Sequence, residues 1–467
     1  MTRHKRAPQF TCGALLLVAL VLVTLLAGCS GVLQMSQRGG SGGGEEADGH
    51  AEISSQGEGT HGLDVQSAYG GAPAGDVPFI RVGLAHGVRD ASVTGSGGFT
   101  VSLYADSLES WAARGGQKWR FGAAGGGITG SGAGGGFHME VGTIRVKPEA
   151  GGLLVFGDVA YRGEIELLPA GAGSLTVVNV VDVESYLRGV VPREIGRRPE
   201  SELEAIKAQA VAARTYALAS SGRHASGSFD VFATVEDQVY EGADGEDAVC
   251  DRAILETAGI FMTQAGEPIH AYFHSSCGGR TEARHEVWEL PRLSYLTQVW
   301  DSRNEDQFND AFCSGGNNFR WAETWDGDEI ARLVREYLPR TASTPVRGAP
   351  GDVKDVRVTV RTPSGRVRWF EVETDGGTYR VFGDRVRWLL RRPGSGRILR
   401  SSFFEVDVTK RGGRVTGLTV EGRGYGHGIG MCQHGAMEMA RQGYDYEEIL
   451  RHYYASIGLT RAYGETP

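Results

Sequence analysis

The sequence predicts an α+β protein. A β-rich N-terminal region and a hairpin-rich insertion are expected around a mixed α/β core with a central alanine-rich helix. Three observations carry this. From Phe79 onward, short apolar or alternating runs (FIRVGLA, FTVSLYA, GTIRVKPE, YRGEIELLP) are separated by glycine-rich breaks, the pattern of strands and turns. In ELEAIKAQAVAARTYA, Leu203, Ile206, Ala210, Ala213 and Ala217 recur at helical spacing. Between about 320 and 410 a second set of strand-like runs follows, DVKDVRVTVRT, VRWFEVET, GGTYRVFG and FFEVDVTK, read as hairpins.

Residues 1–29 read as an export signal. MTRHKR is basic, Ala14 to Gly28 is an unbroken apolar run, and LLAGCS closes it with small residues. The cysteine after Leu-Ala-Gly resembles a lipoprotein box, which implies cleavage before Cys29, lipid on its thiol and attachment to a membrane. Residues 30–75, rich in glycine and glutamate, cannot bury enough surface to offset their chain entropy. They read as a flexible tether. The remaining chain divides into a β-rich region at 76–174, a core at 175–320, the hairpin insertion at 321–412 and the end of the core at 413–467. No fixed-period repeat runs through it. A net charge of −9 speaks against a nucleic-acid partner.

The alanine-rich helix is the best marked. Ser201 and Glu204 form a Ser-x-x-Glu signal after Pro199, read as a capping box. Alanine favours helix and keeps its surface flat, so this helix is expected to be central and buried. EDAVCDRAILETAG reads as another helix. The glycine-rich turn of EGRGYGHGIGMCQHGAMEMARQG leads into a third that ends at Gly443, and Asp445 with Glu448 opens a last amphipathic one.

Three stretches carry a resemblance: NVVDVESYLRGVVPREI with ELEAIKAQAVAARTYAL, then HSSCGGRTEARHEVW, then GYGHGIGMCQHGAMEMARQGYDYEEILRHYY. Together they are similar to the SpoIID/LytB family of stage II sporulation protein D, over roughly 175–460. The resemblance implies a SpoIID-type core and a lytic transglycosylase that cuts the MurNAc-GlcNAc bond of peptidoglycan strands, in particular strands stripped of peptides. It implies Glu194, after Val-Pro-x, as the catalytic acid, and an extracytoplasmic place in the cell envelope. The LytB half of the name implies a second class, a non-catalytic wall-binding module that stimulates a hydrolase, with a peptidoglycan amidase as partner. The chain departs from the family pattern at Cys432, where serine is commoner, and at His434, where an aromatic is.

Glycoside hydrolases commonly use two carboxylates. A lytic transglycosylase manages with one. The acid protonates the leaving oxygen, then takes a proton from the sugar's 6-hydroxyl, which closes to a 1,6-anhydro end. Such an acid needs a raised pKa. Val190, Val191, Pro192 and Ile195 surround Glu194 with apolar bulk on what reads as a short stiff loop, and desolvation raises a carboxyl's pKa. Should water be the attacker instead, Glu184 and Glu236 are the first candidates for a second carboxylate. Lys207 and Arg214 share one helix face, Gln209 and Tyr216 another. A charge among alanines needs a partner or a substrate, so Arg214 is either a salt bridge or a substrate contact. Gln209, Arg214, Gln238, Tyr240, His427 and Gln433 are the candidate substrate-binding residues, His427 because glycines on both sides allow close approach of a ligand.

No cofactor is required by this chemistry. IHAYFHSSCGGRTEARHEVW nevertheless holds His270, His274, Cys277 and His285, and Cys313 follows. His274, Cys277, Cys313 and His285 could hold a structural zinc, since thiolate and imidazole both suit that ion. A Cys277–Cys313 disulfide suits an exported chain, and free thiols are the third outcome. A zinc hydrolase centred on Cys277 and His274 is the corresponding third functional class.

Overall fold

A computed structural model describes residues 77–463, apart from 105–108, 125–126, 133–134, 140–141, 172, 225–227 and 304–307. The export signal, Cys29 and the tether lie outside the described residues. No described helix is long and apolar enough to cross a membrane. Helices of eight or more residues are numbered below.

The N-terminal strands form two sheets over one core. A seven-stranded sheet runs in the order Val231–Phe232, Phe79–Val88, Ser174–Asp182, Glu164–Ala170, Thr143–Pro148, Phe99–Tyr104, Ser110–Ala113. Its pairs are antiparallel except that Val231–Phe232 lies parallel to Phe79–Val88. Alternation decides which side faces in. Ile80 and Val82 are buried while Arg81 turns out to Glu166 at 2.8 Å. The second sheet, six-stranded, is centred on Asp90–Gly95 and Trp119–Ala124. It contributes Val93, Trp119, Phe121 and Ile128 to the same core as Val146, Leu167 and Val177.

Ser174–Asp182 runs directly into α1 (Val183–Glu194), and the Asp182 side chain caps it by accepting from the Ser185 N–H at 2.9 Å. Tyr186, Leu187, Val190 and Val191 form its buried face. Glu194 is therefore the last residue of a helix, where a loop was expected. Pro192 sits in the last turn, where it removes one N–H from the ladder without stopping the helix. Gly196, at φ +80°, ends it in the left-handed conformation that favours glycine.

Helix α2 (Leu203–Ala219) is buried along most of its length, Ala205, Ala208, Ala210, Ala212, Ala213 and Ala217 included. A helix apolar on all sides belongs inside. The Ser201–Glu204 capping box does not form. A 3-10 turn, Glu200–Glu202, precedes the helix, and Glu202 at its N-cap makes no side-chain cap bond. Glu204 instead binds Lys207 Nζ at 2.7 Å and the Tyr446 N–H at 3.0 Å. Helix α3 (Ala248–Glu256) packs along α2, capped by Asp247.

Arg214 joins these elements. Its Nε and Nη2 donate to the two oxygens of Glu184 at 2.8 and 2.7 Å, and Nη1 donates to the Ile260 carbonyl at 3.0 Å. Glu184 also accepts from Tyr463 Oη at 2.6 Å and the Gly259 N–H at 3.2 Å. Arg214 and Glu184 are both buried. This corrects Arg214 as a substrate contact: it is the salt bridge, out of reach of any ligand. Glu184 is likewise committed and cannot serve as a second catalytic carboxylate. Lys207, on the same face, pairs with Glu256 of α3 at 2.7 Å.

Residues 321–420 build a second core of their own. Two three-stranded sheets, one ordered Arg320–Asp326, Arg414–Arg423, Phe404–Arg411 and the other centred on Val367–Thr374, pack with α4 (Gly327–Thr341). Helix α4 was not expected among the hairpins. Its marks are in the sequence: Asp326 and Glu329 form a capping box, and Ile330, Leu333, Val334 and Leu338 are its buried stripe. Strand Arg414–Arg423 belongs to this second core, across the expected boundary at 412. The chain then returns to the first core as α5 (Gln433–Arg441) and α6 (Tyr446–Tyr453), the latter opened by the expected Asp445–Glu448 box.

Arg214→Ala would leave the Glu184 carboxylate buried without its cation. Breaking a buried pair from one side costs about 3–5 kcal/mol, and urea unfolding of the variant should show a loss of that size. Replacing both partners, as Glu184→Leu with Arg214→Met, should recover most of it. Equal losses in the single and double variants would mean that the pair is not what the site depends on.

Candidate active site

Glu194 sits where four segments meet. The end of α1 presents it. The segment 238–240 lies against its side chain, and Gln433 of α5, itself bonded to Gln209 of α2, holds its backbone. Oε1 accepts from the Val239 N–H at 3.0 Å. The Gln433 Nε2 donates to the Glu194 carbonyl at 2.9 Å and to Gln209 Oε1 at 3.2 Å. Glu194 is half-buried. Its other carboxyl oxygen has no hydrogen-bond partner among the described residues. Burial raises its pKa from 4.5 to about 7, against the opposing pull of the Val239 N–H. It is thus a carboxyl that keeps its proton near neutral pH and has one oxygen free to use it.

Of the residues singled out from sequence, Gln209, Gln238 and Gln433 join this group. Gln238 accepts from Tyr186 Oη at 3.1 Å. The Nε2 atoms of Gln209 and Gln238 are buried without a partner. An unmet buried donor costs about 1–3 kcal/mol, and in a native protein such a group wants a water or a ligand. Tyr240 does not share the direction of Gln238. Its hydroxyl donates to Asn179 Oδ1 at 2.8 Å, and its ring lies 5.0 Å from Tyr186, inside the core. Glu236 is exposed on a turn.

Tyr216 lies two turns beyond Gln209 on α2. Its ring meets Tyr272 edge-on at 6.1 Å and its hydroxyl donates to Asp237 Oδ1 at 2.9 Å. Tyr272 in turn packs with His270 at 6.1 Å, Trp288 at 5.1 Å and His427 at 6.3 Å. Tyr272 and Trp288 are half-buried members of this aromatic group that the sequence reading did not single out. Both were visible as aromatics inside or beside the second motif. His427 Nδ1 accepts from the Ile429 N–H at 3.0 Å. Burial, with His274 beside it, lowers the His427 pKa to about 3, so it is a neutral imidazole. The glycines beside it make room for protein: a Cβ on Gly426 would lie 2.9 Å from His274 Cβ, and one on Gly428 would lie 2.5 Å from the Arg366 guanidinium.

The glycine-rich turn is needed for the two motifs to pack backbone on backbone. Phe273–His274 pairs in parallel with Met431–Cys432, and Ser276 bridges to Tyr425. A Cβ on Gly430 would stand 2.0 Å from the Tyr272 carbonyl oxygen, at φ +70°. This contact brings Cys277 and Cys432 together: the Cys277 N–H donates to Cys432 Sγ at 3.2 Å.

The expected metal set does not assemble as such. Cys277 and Cys313 are adjacent, Sγ to Sγ 3.5 Å, too far apart for a disulfide bond of about 2.05 Å. His274 Nδ1 is bonded to the Ile429 carbonyl at 3.1 Å, and His285 Nε2 faces Glu286 at 3.5 Å. The group that does form is Cys277, Asp301, Cys313 and Cys432. The two histidines are replaced by residues far away in sequence, because it is the Gly424–Gly430 turn, Asp301 and the turn Phe312–Gly315 that close over Cys277. His434, beside Cys432, donates its backbone N–H to the Ser275 carbonyl at 3.0 Å, and its ring covers Gly316. Cys250 is buried apart, in α3.

The chain is similar to known proteins. The family described as SpoIID, Stage II sporulation protein, matches residues 171–264, which hold α1, Glu194 and α2. A domain of unknown function, DUF8618, matches residues 282–430. The chain is 29% identical over 302 residues to an uncharacterized protein of Brachyspira hyodysenteriae, covering 64% of this chain and 72% of that one. It is 28% identical over 303 residues to stage II sporulation protein D of Bacillus amyloliquefaciens, covering 61% of this chain and 76% of that one. It is 29% identical over 303 residues to the amidase enhancer of Bacillus subtilis, covering 59% of this chain and 40% of that longer protein. The SpoIID segment spans the residues around Glu194, and the chain is similar to proteins of the SpoIID/LytB family.

Proposed function

We propose that this protein acts on the cell wall as a peptidoglycan lytic transglycosylase, with Glu194 as its single general acid and base. The cell-wall role rests on its family and on a relative named amidase enhancer. The finer reading rests on one observation above the others: a half-buried carboxyl with pKa raised to about 7, one oxygen held and one free. Glu194 donates its proton to the glycosidic oxygen as the bond to the anomeric carbon breaks. The carboxylate then accepts the proton of the 6-hydroxyl, which closes on that carbon. The product is a 1,6-anhydroMurNAc end, and the acid is regenerated. No second carboxylate is asked for, which suits a site where Glu184 is tied to Arg214 and Glu236 faces solvent.

The unpaired Gln209 and Gln238 amides are donors suited to sugar hydroxyls and N-acetyl carbonyls, and Gln433 holds the acid in register. The Tyr216, Tyr272, Trp288 and His427 rings would carry the strand beyond the cut. An extracytoplasmic, lipid-anchored place through Cys29 belongs to the same proposal, since its substrate lies there. A peptidoglycan amidase fits as partner, by removing the peptides that would otherwise crowd the strand.

The test is incubation of the full chain with peptide-stripped glycan strands, with products read by mass spectrometry. Disaccharide units with 1,6-anhydro ends are expected. Glu194→Gln should lower the rate at least about a hundredfold, the lower bound for general acid–base catalysis, while strand binding persists. The parent's rate should fall as pH rises through about 7, because the acid must start protonated. Reducing ends would make the enzyme a hydrolase. An unchanged rate in the variant would favour a non-catalytic wall-binding module.

Stability gives an independent measurement. The folded pKa of Glu194 is raised, so the stability it contributes is complete below the unfolded value near 4.5 and is lost as pH rises to about 7. The full loss is at most about 3.5 kcal/mol, taking about 1.4 kcal/mol per unit. Glu194→Gln lacks this loss. The variant should therefore melt progressively higher than the parent between pH 4.5 and 7, with a constant gap above. A gap that does not change with pH would mean that the carboxyl is not desolvated.

A further inference from the structure

We propose that Cys277, Asp301, Cys313 and Cys432 form a closed, structural zinc site. Their ligand atoms all lie within 4.8 Å of one another. All four residues are buried, at 1% exposure or less. They come from four separate segments. Cys277 follows strand Phe273–His274, Asp301 lies in a loop, Cys313 is in the 3-10 turn Phe312–Gly315, and Cys432 is the N-cap of α5. Hydrophobic burial alone has no reason to converge three sulfurs and a carboxyl from four segments on one point. A metal does.

The geometry suits zinc. The Cys277 and Cys313 sulfurs stand 3.5 Å apart. A tetrahedral ion with Zn–S bonds of about 2.3 Å holds its sulfurs roughly 3.8 Å apart, whereas a disulfide would need about 2.05 Å. Three thiolates and one carboxylate oxygen are a soft-to-borderline donor set, which favours zinc over the hard cations that take oxygen ligands. All four positions are filled by protein, so the site is structural rather than catalytic.

The surroundings fit bound thiolates. Sulfurs accept backbone N–H bonds from Cys277, at 3.2 Å to Cys432 Sγ, from Gly279, at 3.3 Å to Cys277 Sγ, and from Gly435, at 3.4 Å to Cys432 Sγ. Asp301 is oriented by Tyr453 Oη at 2.5 Å and by the Cys313 N–H at 3.0 Å, and forms no salt bridge among the described residues. Around a divalent ion the four ligands leave an excess of negative charge. The buried Arg366 guanidinium, whose Nη2 donates to the Cys277 carbonyl at 2.7 Å, offsets part of it. Ligand-orienting bonds of this kind are usual at metal sites. Gly435 has to be glycine here, because a Cβ would lie 2.3 Å from Asp301 Oδ1. Cys432 directly precedes Gln433, which clamps the Glu194 carbonyl. The ion would therefore fix the start of α5 and, through it, the position of the acid.

Metal analysis of the full chain, purified without chelator under reducing conditions or reconstituted with zinc, should give about one zinc per chain, the stoichiometry of one closed four-ligand site. Cys313→Ser and Asp301→Asn should each lower zinc retention at least about tenfold, the lower end of what lost coordination support costs. Cys250→Ser should leave it unchanged. Because a ligand variant can fail to fold, the unmodified chain is also titrated with 1,10-phenanthroline. Zinc release should make Cys277, Cys313 and Cys432 reactive to iodoacetamide and lower the melting temperature, and added zinc should reverse both. A zinc-free, equally stable chain after reconstitution would overturn the proposal. So would a Cys277–Cys313 linked peptide in a non-reducing digest, or a different metal at the site.

Discussion

The bidentate pair between Glu184 and Arg214 is the interaction on which the placement of the candidate acid depends. It ties the first turn of α1 to the fourth turn of α2, in a place where neither charge meets water. The remaining donors and acceptors are met by Ile260, Gly259 and Tyr463, so the pair also draws in strand Ile260–Gln264 and the end of the described chain. A buried ion pair adds little net stability compared with apolar residues of the same size, but it is costly to misplace. That makes it a device for register. With α1 held at its start by a fixed bond, its end, which is Glu194, has one position relative to α2.

The alanines of α2 make this possible. Helices α1, α3, α5 and α6 and strands Ile260–Gln264 and Glu267–Pro268 pack around that helix. Larger side chains would push them apart. Close packing brings Gln209 near enough to share Gln433 with the Glu194 backbone. The site then runs against stability in two ways. A carboxyl is desolvated, and two amide nitrogens are buried without partners. Each is unfavourable in the folded protein alone, and each becomes useful when a polar ligand arrives.

The second core, 321–420, lends structure to the first by a different route. Arg366 leaves strand-rich surroundings to donate into the Cys277 and Arg280 carbonyls. Ser364 reaches Glu282 from the same loop. The second motif is thus held from one side by the glycine-rich turn and from the other by the inserted sheets. The glycine-rich turn and Arg366 act on backbone groups of residues 277–282, while Ser364 holds the Glu282 carboxylate.

Local signals in the sequence determined a good deal. Alternation placed the N-terminal strands, and helical spacing with alanine placed α2 and its burial. The apolar residues around Glu194 indicated a desolvated acid before any coordinates. Where local reading went astray, a partner distant in sequence had decided the matter. Glu204 left its capping role because Tyr446 and Lys207 were in reach. Pro192 costs α1 one ladder bond, and the helix ends within a turn of it, before Gly196. Arg214 became structural because Glu184, thirty residues earlier, was delivered to it. Helix α4 was legible in its own pattern and was obscured only by the strands around it. The cysteine group was legible only in part: Cys277 and Cys313 were read together, whereas Asp301 and Cys432 were not. Spacing offered His274 and His285 as the neighbours of Cys277, but His274 is bonded to the Ile429 carbonyl and His285 lies in a separate helical turn, facing Glu286. The partners came instead from residues 301 and 432, chosen by a turn whose glycines let two backbones touch. Sequence alone determined which residues had the chemistry. Tertiary structure decided which of them share a place, because convergence of distant segments is set by packing and leaves no periodic trace in the chain.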